Sequence, residues 1–261
     1  MIIDKNDYEK DGIIHCGRCH APKQHLVKLS GEMTLVRCIC KCEEEQIKAE
    51  RIAEAERERE MRIKATRKMG FPDPEMVNWT FDKDDGANER ISRIGRKYVE
   101  NFDKLKRGLL FYGSVGTGKT FISVCIANEL INRGYPVMVT NFARLTNTIQ
   151  GMFTGRQEFL DGLDYYKLLV IDDLASERDT EYMGEIVQNI IDSRYRARLP
   201  LIVTTNLTAD ELKNPADIRK ERIYSRLWEM CIPVEVTGND RRKEKLKAEF
   251  QEMEGMLGLS D

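Results

Sequence analysis

Eight consecutive residues, Gly113, Ser114, Val115, Gly116, Thr117, Gly118, Lys119 and Thr120, follow the spacing G-x-x-x-x-G-K-[ST]. An apolar run at 109–112 precedes them and a helical pattern opens at Phe121, the strand, loop and helix context in which such a loop holds phosphates. Glycines let backbone N–H groups approach the anion, and the helix N-terminus adds a favourable field. Lys119 supplies a point charge for the β- and γ-phosphates, and the Thr120 hydroxyl can hold Mg²⁺. A bland Gly-rich turn accounts for the glycines but not for Lys119 and Thr120.

Two further apolar runs end in polar side chains. Residues 168–171 lead into Asp172 and Asp173, which would place one acid on the Mg²⁺ shell and the other near an attacking water; alone, this could be a buried strand with a solvated acid pair. Residues 201–203 lead into Thr204, Thr205 and Asn206. An amide at Asn206 offers both donor and acceptor to a water between the γ-phosphate and Asp173, although an Asn turn at a strand end is the commoner case.

The N-terminal segment carries a different chemistry. Cys16 and Cys19 form a C-x₂-C knuckle, and Cys38, Cys40 and Cys42 form a dense second group, a pattern that fits tetrahedral thiolate coordination of Zn²⁺. Cys16 and Cys19 are one pair and two of Cys38, Cys40 and Cys42 complete the set, with His15, His20 or His25 as substitutes. The segment has too little apolar sequence to bury five thiols, and no βαβ pattern surrounds the C-x-x-C as a redox site would require. Cys125 and Cys231 lie in apolar stretches and read as small core residues. Seven cysteines would leave an odd thiol in an oxidising compartment, so the expected location is the reducing cytoplasm.

These groups need elements to hold them. Strands are expected at 108–112, 135–140, 168–172, 201–204 and 232–236, and helices at 119–133, 142–152, 181–197, 217–229 and 240–253. Continuous apolar strands alternating with helices imply an α/β fold with a five-stranded parallel sheet covered on both faces. From 43 to 68 the chain is rich in Glu, Arg, Lys and Ala, with acid-to-base pairs such as Glu44 and Lys48 at helical spacing. Its few apolar residues are too sparse for a sustained heptad seam, which favours a solvated helix joining two domains over a coiled-coil or partner-binding helix. The expected organisation is a zinc-binding module at 1–45, a charged helical linker at 46–70 and a nucleotide-binding domain at 71–261.

Composition bounds what remains. The 261 residues are 41% hydrophobic and 33% charged, with 42 basic against 44 acidic side chains, so nucleic-acid contact would need a local patch, not the overall field. No apolar run approaches the ~18 residues of a membrane span, and the start lacks a secretory leader. Residues 82–86 match a calcium loop only superficially. Trp79 and Phe81 have two readings, packing on a base or in the core. The basic residues at 241–247 either touch phosphate or solvate a terminal helix.

Taken together, 113–120, 168–174, Arg194 with Tyr195, Leu199 with Pro200, 204–207 and the stretch from Arg222 to Leu227 resemble the AAA+ P-loop ATPases of the DnaC-type helicase loaders and IstB-like transposition helpers. The resemblance covers most of 79–242. It implies an ATP-dependent switch that delivers a replicative DNA helicase in replication initiation, with single-stranded DNA and ATP-dependent self-association as further partners; an ATPase helper of a DNA transposase is the alternative. It also implies that Lys119, Thr120 and Asp172 bind ATP and Mg²⁺, that Asn206 senses the γ-phosphate, and that Arg222 or Arg226 reaches a neighbour's ATP. Arg241 and Arg242 are its candidates for a second sensor. Many AAA+ proteins have Glu where this chain has Asp173, which favours slow hydrolysis. A small-molecule P-loop kinase and a nucleotide-binding scaffold are the readings from other classes.

Overall fold

The computed structural model describes residues 6–29, 31–174, 181–215 and 217–257; residues 1–5, read above for a leader, lie outside them, as do the side chains of 181–183, 244, 245, 248 and 252. The chain divides into two compact units, Met1–Met61 and Arg62–Asp261.

In the first unit, strands β1 (Tyr8–Lys10) and β2 (Ile13–His15) form one antiparallel hairpin, and β3 (Gln24–Leu29) and β4 (Glu32–Arg37) form another. Sequence reading did not anticipate these strands. A signal was present: Asp11 and Gly12 join β1 to β2 with φ of 54° and 77°, the two positive values a type I′ hairpin turn needs, and Asp-Gly is a dipeptide that supplies them. Helix α1 (Lys41–Met69) contains the whole 46–70 stretch but its last residue. It starts five residues earlier than the linker was drawn and so includes Cys42. Glu43 and Glu44 in its first turn and Arg67 and Lys68 in its last oppose the helix dipole favourably. Lys48 donates to Glu44 at 2.6 Å, an exposed pair of small worth.

The second unit is built on a parallel five-stranded sheet in the order β6-β7-β8-β5-β9: β5 (Gly108–Tyr112), β6 (Val137–Asn141), β7 (Leu168–Leu174), β8 (Leu201–Thr205) and β9 (Cys231–Glu235). Alternate strand residues face opposite sides. Leu109, Phe111, Leu168, Val170 and Ile202 join one buried cluster with α2 (Glu89–Glu100) and α3 (Lys119–Asn132). Leu110, Leu169, Ile171, Leu201 and Val203 join the other, with α4 (Phe142–Gln150), α6 (Glu181–Ala197) and α8 (Ile218–Met230). Short helices α5 (Arg156–Gly162) and α7 (Ala209–Lys213) and the C-terminal α9 (Arg241–Leu257) complete the unit. No helix among the described residues is long and apolar enough to cross a membrane.

The structure departs from expectation in readable ways. Strand β6 begins at Val137, not at 135, because Pro136 has no N–H for the ladder and the Tyr135 hydroxyl turns away to donate to Asp103 at 2.6 Å. Strand β7 continues past 172 to Leu174 through a register shift between Ile171 and Leu174. Helix α2 was missed although Asn88 caps it through the Ile91 N–H and Ile91, Tyr98 and Val99 lie buried along one stripe. Cys125 and Cys231 are buried as expected, and burial pushes both thiols up to about 12.

One buried cation fixes the approach to two strands. Arg194 of α6 has no exposed surface, and it donates to the carbonyls of Leu163, Tyr166 and Pro200 at 3.2, 2.6 and 2.7 Å. These carbonyls precede β7 and β8. Burial pushes its guanidinium down to about 10, a cost offset by those charge-assisted bonds. Replacing Arg194 with Met removes the side-chain donor that these carbonyls share, and the expected loss of about 2–4 kcal/mol is measurable as a lower midpoint in urea unfolding; an unchanged midpoint would contradict this account of the turn.

Candidate functional site

The order β7-β8-β5 brings three strand ends side by side, and each carries polar residues singled out from the sequence. The loop from Gly113 to Thr120 leaves β5 and enters α3, whose N-cap is Gly118 in the left-handed region. Gly113 has φ of 124°, and a Cβ there would lie 2.6 Å from the Val236 carbonyl oxygen. Gly116 has φ of 76°, and a Cβ there would meet the Asp240 carboxylate. Neither position accepts another residue without strain.

Lys119 is only 6% exposed and its Nζ donates to the carbonyls of Gly113 and Ser114 at 2.8 and 2.6 Å. Burial lowers its pKa, while Asp173 and Asp172 pull it back up. Thr117 closes the loop by donating to Ser114 O at 2.9 Å.

Asp172 sits at the centre of the polar network. Its Oδ1 accepts from Thr120 Oγ1 at 2.8 Å and from Thr204 Oγ1 at 2.6 Å, which joins α3, β7 and β8 through one oxygen. Burial raises its pKa, and the two hydroxyls act in the opposite direction. Asp173 follows with φ of 63°, a conformation that Asp tolerates better than most residues. Its N–H donates to Thr204 Oγ1 at 2.9 Å, and Asn206 Nδ2 donates to its Oδ1 at 2.9 Å. Thr204 is therefore a site residue whose role the strand pattern concealed: its hydroxyl joins both acids, although a Thr inside an apolar strand gives no such signal.

A cleft of about 460 Å³ opens over this network, lined by Val115 to Phe121, Asp172, Asp173, Thr204 and Asn206. Trp79, Arg241 and Arg242 line it as well. Arg241 donates its backbone N–H to Gly116 O at 3.0 Å, and its guanidinium lies 3.2 Å from Asp85. Phe81 is 8% exposed in the core, where Arg96 lies 4.7 Å above its ring. The Asp84 side chain is taken up by a hydrogen bond from Ser92, so the 82–86 turn serves the fold.

Arg222 and Arg226 share an exposed face of α8 and line a different hollow, about 480 Å³, with Gln188 and Asp192 of α6. Neither lines the cleft of its own chain. Arg226 lies 4.3 Å over the Tyr195 ring and 3.6 Å from Asp192.

In the first unit, Cys16, Cys19, Cys40 and Cys42 gather with all four sulfurs within 4.8 Å of one another. Cys42 Sγ lies 3.4, 3.5 and 3.3 Å from those of Cys16, Cys19 and Cys40, far beyond a disulfide bond. A tetrahedral ion with ligands at about 2.3 Å has sulfur edges of about 3.8 Å, so the quartet fits such an ion. Backbone N–H groups of Cys19 and Arg18 pull Cys16 down to about 6, while hydrogen bonding to Cys40, Cys16 and Cys19 pushes Cys42 up to about 12. Cys38, included in the candidate set, is outside the quartet, because its thiol turns back to donate to Pro22 O at 3.3 Å. No histidine joins the quartet among the described residues: His15 stacks on Tyr8 at 5.6 Å, His20 Nδ1 lies 3.2 Å from the Tyr8 hydroxyl, and His25 pairs with Val36 in the β3–β4 ladder.

Known proteins resemble this arrangement. The chain is 29% identical over 147 residues to the replicative helicase loader DnaC of Escherichia coli (strain K12), covering 55% of this chain and 58% of that protein. It is 29% identical over 150 residues to the replicative helicase loader DnaI of Bacillus subtilis (strain 168), covering 52% and 48%. It thus spans about half the length of the curated relatives it matches. A crystal structure of the DnaC helicase loader superposes with a TM-score of 0.52 at 25% identity, covering 63% of this chain and 100% of that one. The family model described as IstB-like ATP binding protein matches residues 39–248, four-fifths of the sequence including every strand of the parallel sheet, and the chain belongs to that family.

Proposed function

We propose that this protein is an ATP-dependent loader of a replicative DNA helicase, in which ATP is bound and slowly hydrolysed as a conformational signal. The observation that carries the reading is the convergence of Lys119, Thr120, Asp172, Asp173 and Asn206 on one cleft at three adjacent strand ends. The names of the E. coli and B. subtilis relatives support the helicase as partner over a transposase.

Within this reading, Gly113 to Gly118 cradle the phosphates and Lys119 exchanges its bonds to Gly113 and Ser114 for phosphate oxygens. Thr120 and Asp172 would hold Mg²⁺, which would neutralise charge on the β- and γ-phosphates. Their hydroxyl and carboxylate already lie 2.8 Å apart, and both are hard oxygen donors suited to that ion. Asp173 takes a proton from the attacking water and Asn206, bonded to it, orients that water. A shorter acid than Glu reaches less far, consistent with a slow switch. Arg222 or Arg226 is presented to the ATP of a second copy, because neither lines its own cleft; self-association would then complete the site. Zn²⁺ held by Cys16, Cys19, Cys40 and Cys42 would organise the small first unit, whose hairpins are too short to supply much core. Single-stranded DNA is the remaining proposed partner.

The loader reading is tested by a pull-down with the replicative helicase of the source organism: retention that responds to ATP is expected, and capture of a transposase but not the helicase would contradict it. Lys119→Ala is expected to lower ATP affinity at least a hundredfold in calorimetric titration while zinc content stays at about one per chain; undiminished binding would remove Lys119 from the phosphate loop. Metal analysis under reducing conditions separates the cysteines. Cys40→Ser is expected to lose the zinc and Cys38→Ser to keep it, and the reverse outcome would overturn the quartet.

A further inference from the structure

Helix α3 carries Lys119 and Thr120 at its start, and in its third turn it carries a buried side chain that packing alone does not explain. Asn128 is 2% exposed. Its Nδ2 donates to the carbonyls of Met76 and Trp79, both at 2.8 Å, while its Oδ1 has no partner among the described residues. Both neighbours of the amide nitrogen are acceptors, which fixes the orientation of the amide. An apolar residue would avoid a buried unpaired oxygen, so what Asn128 uniquely supplies is two donors aimed at one turn.

That turn, a 3-10 segment at Pro74–Asn78, ends at Trp79. The Trp79 ring lies 6.0 Å from Phe121, two residues past Lys119, and both rings line the cleft beside the phosphate loop. The remaining aromatic of this stretch, Phe81, faces the core and is not available to the cleft. The arrangement leaves a half-buried indole at the cleft wall, hung from the helix that begins at the phosphate loop.

We infer that Asn128 is a positioning residue for nucleotide binding: by tying the 76–79 turn to α3, it sets Trp79 as the platform on which the purine base stacks while Lys119 holds the phosphates. This rests on the nucleotide reading above and assigns it a base subsite and the residue that holds that subsite in place. Base–aromatic stacking is tolerant of base identity, so the platform supplies affinity and register.

The test uses the full chain with Trp228→Phe, which leaves Trp79 as the one tryptophan, titrated with Mg²⁺ and either ATP or inorganic tripolyphosphate. ATP is expected to change Trp79 emission and tripolyphosphate to leave it unchanged. In calorimetry, Asn128→Asp and Asn128→Leu are each expected to weaken ATP by about tenfold and tripolyphosphate not at all. Trp79→Ala should weaken ATP similarly, Trp79→Phe should restore most of the affinity, and Asn128→Leu added to Trp79→Ala should cost nothing further. The tripolyphosphate affinity also reports whether each variant is folded. ATP binding without a change in Trp79 emission, or equal weakening of both ligands by Asn128→Leu and Trp79→Ala, would overturn the inference and leave the phosphate site standing. Failure of both ligands to bind the Trp228→Phe protein would overturn the nucleotide reading and this inference with it.

Discussion

A single carboxylate oxygen holds the candidate site together. Asp172 Oδ1 accepts from a hydroxyl at the start of α3 and from another at the end of β8, so the helix after the phosphate loop and two neighbouring strands end at one shared acceptor. Burial disfavours the charged carboxylate, and the hydroxyls recover part of that cost. A partly desolvated acid held by two donors is well placed to take a divalent cation, because the ion supplies the charge its surroundings lack. The neighbouring Asp173 is set apart by backbone geometry: its positive φ and its N–H bond to Thr204 turn its side chain toward Asn206. Two adjacent acids thereby reach different environments.

Much of this was legible in the sequence because the chemistry uses contiguous residues at strand ends. The glycine loop, the acid pair and Asn206 each follow an apolar run, and a parallel sheet places such ends together. What the sequence concealed depends on long-range placement. Thr204 looked like a strand residue and became the link between two acids. Arg241 and Arg242 were candidates in the sequence, but they lie more than a hundred residues beyond the loop they approach, and the return of the chain after β9 brings them to the cleft. The missed helix α2 was readable from its stripe of Ile91, Tyr98 and Val99, but its charged faces masked the period.

The N-terminal unit shows the converse. Its cysteine spacing was legible, and Asp11-Gly12 marked the turn between β1 and β2, whereas β3 and β4 were hidden because their residues are largely exposed and a two-stranded hairpin has no buried face to impose alternation. The choice among Cys38, Cys40 and Cys42 was open to spacing alone. Cys38 follows β4 directly with its thiol on Pro22 O, while Cys40 immediately precedes α1 and Cys42 lies in its first turn, and so the helix start selects the pair.

A crystal structure of the chain with Mg²⁺ and a nonhydrolysable ATP analogue tests the central claim most directly. The account requires the Lys119 ammonium to have left the Gly113 and Ser114 carbonyls for phosphate oxygens, with the ion between Thr120 and Asp172. An analogue bound elsewhere, with Lys119 still on those two carbonyls and Thr120 still bonded directly to Asp172, would contradict it.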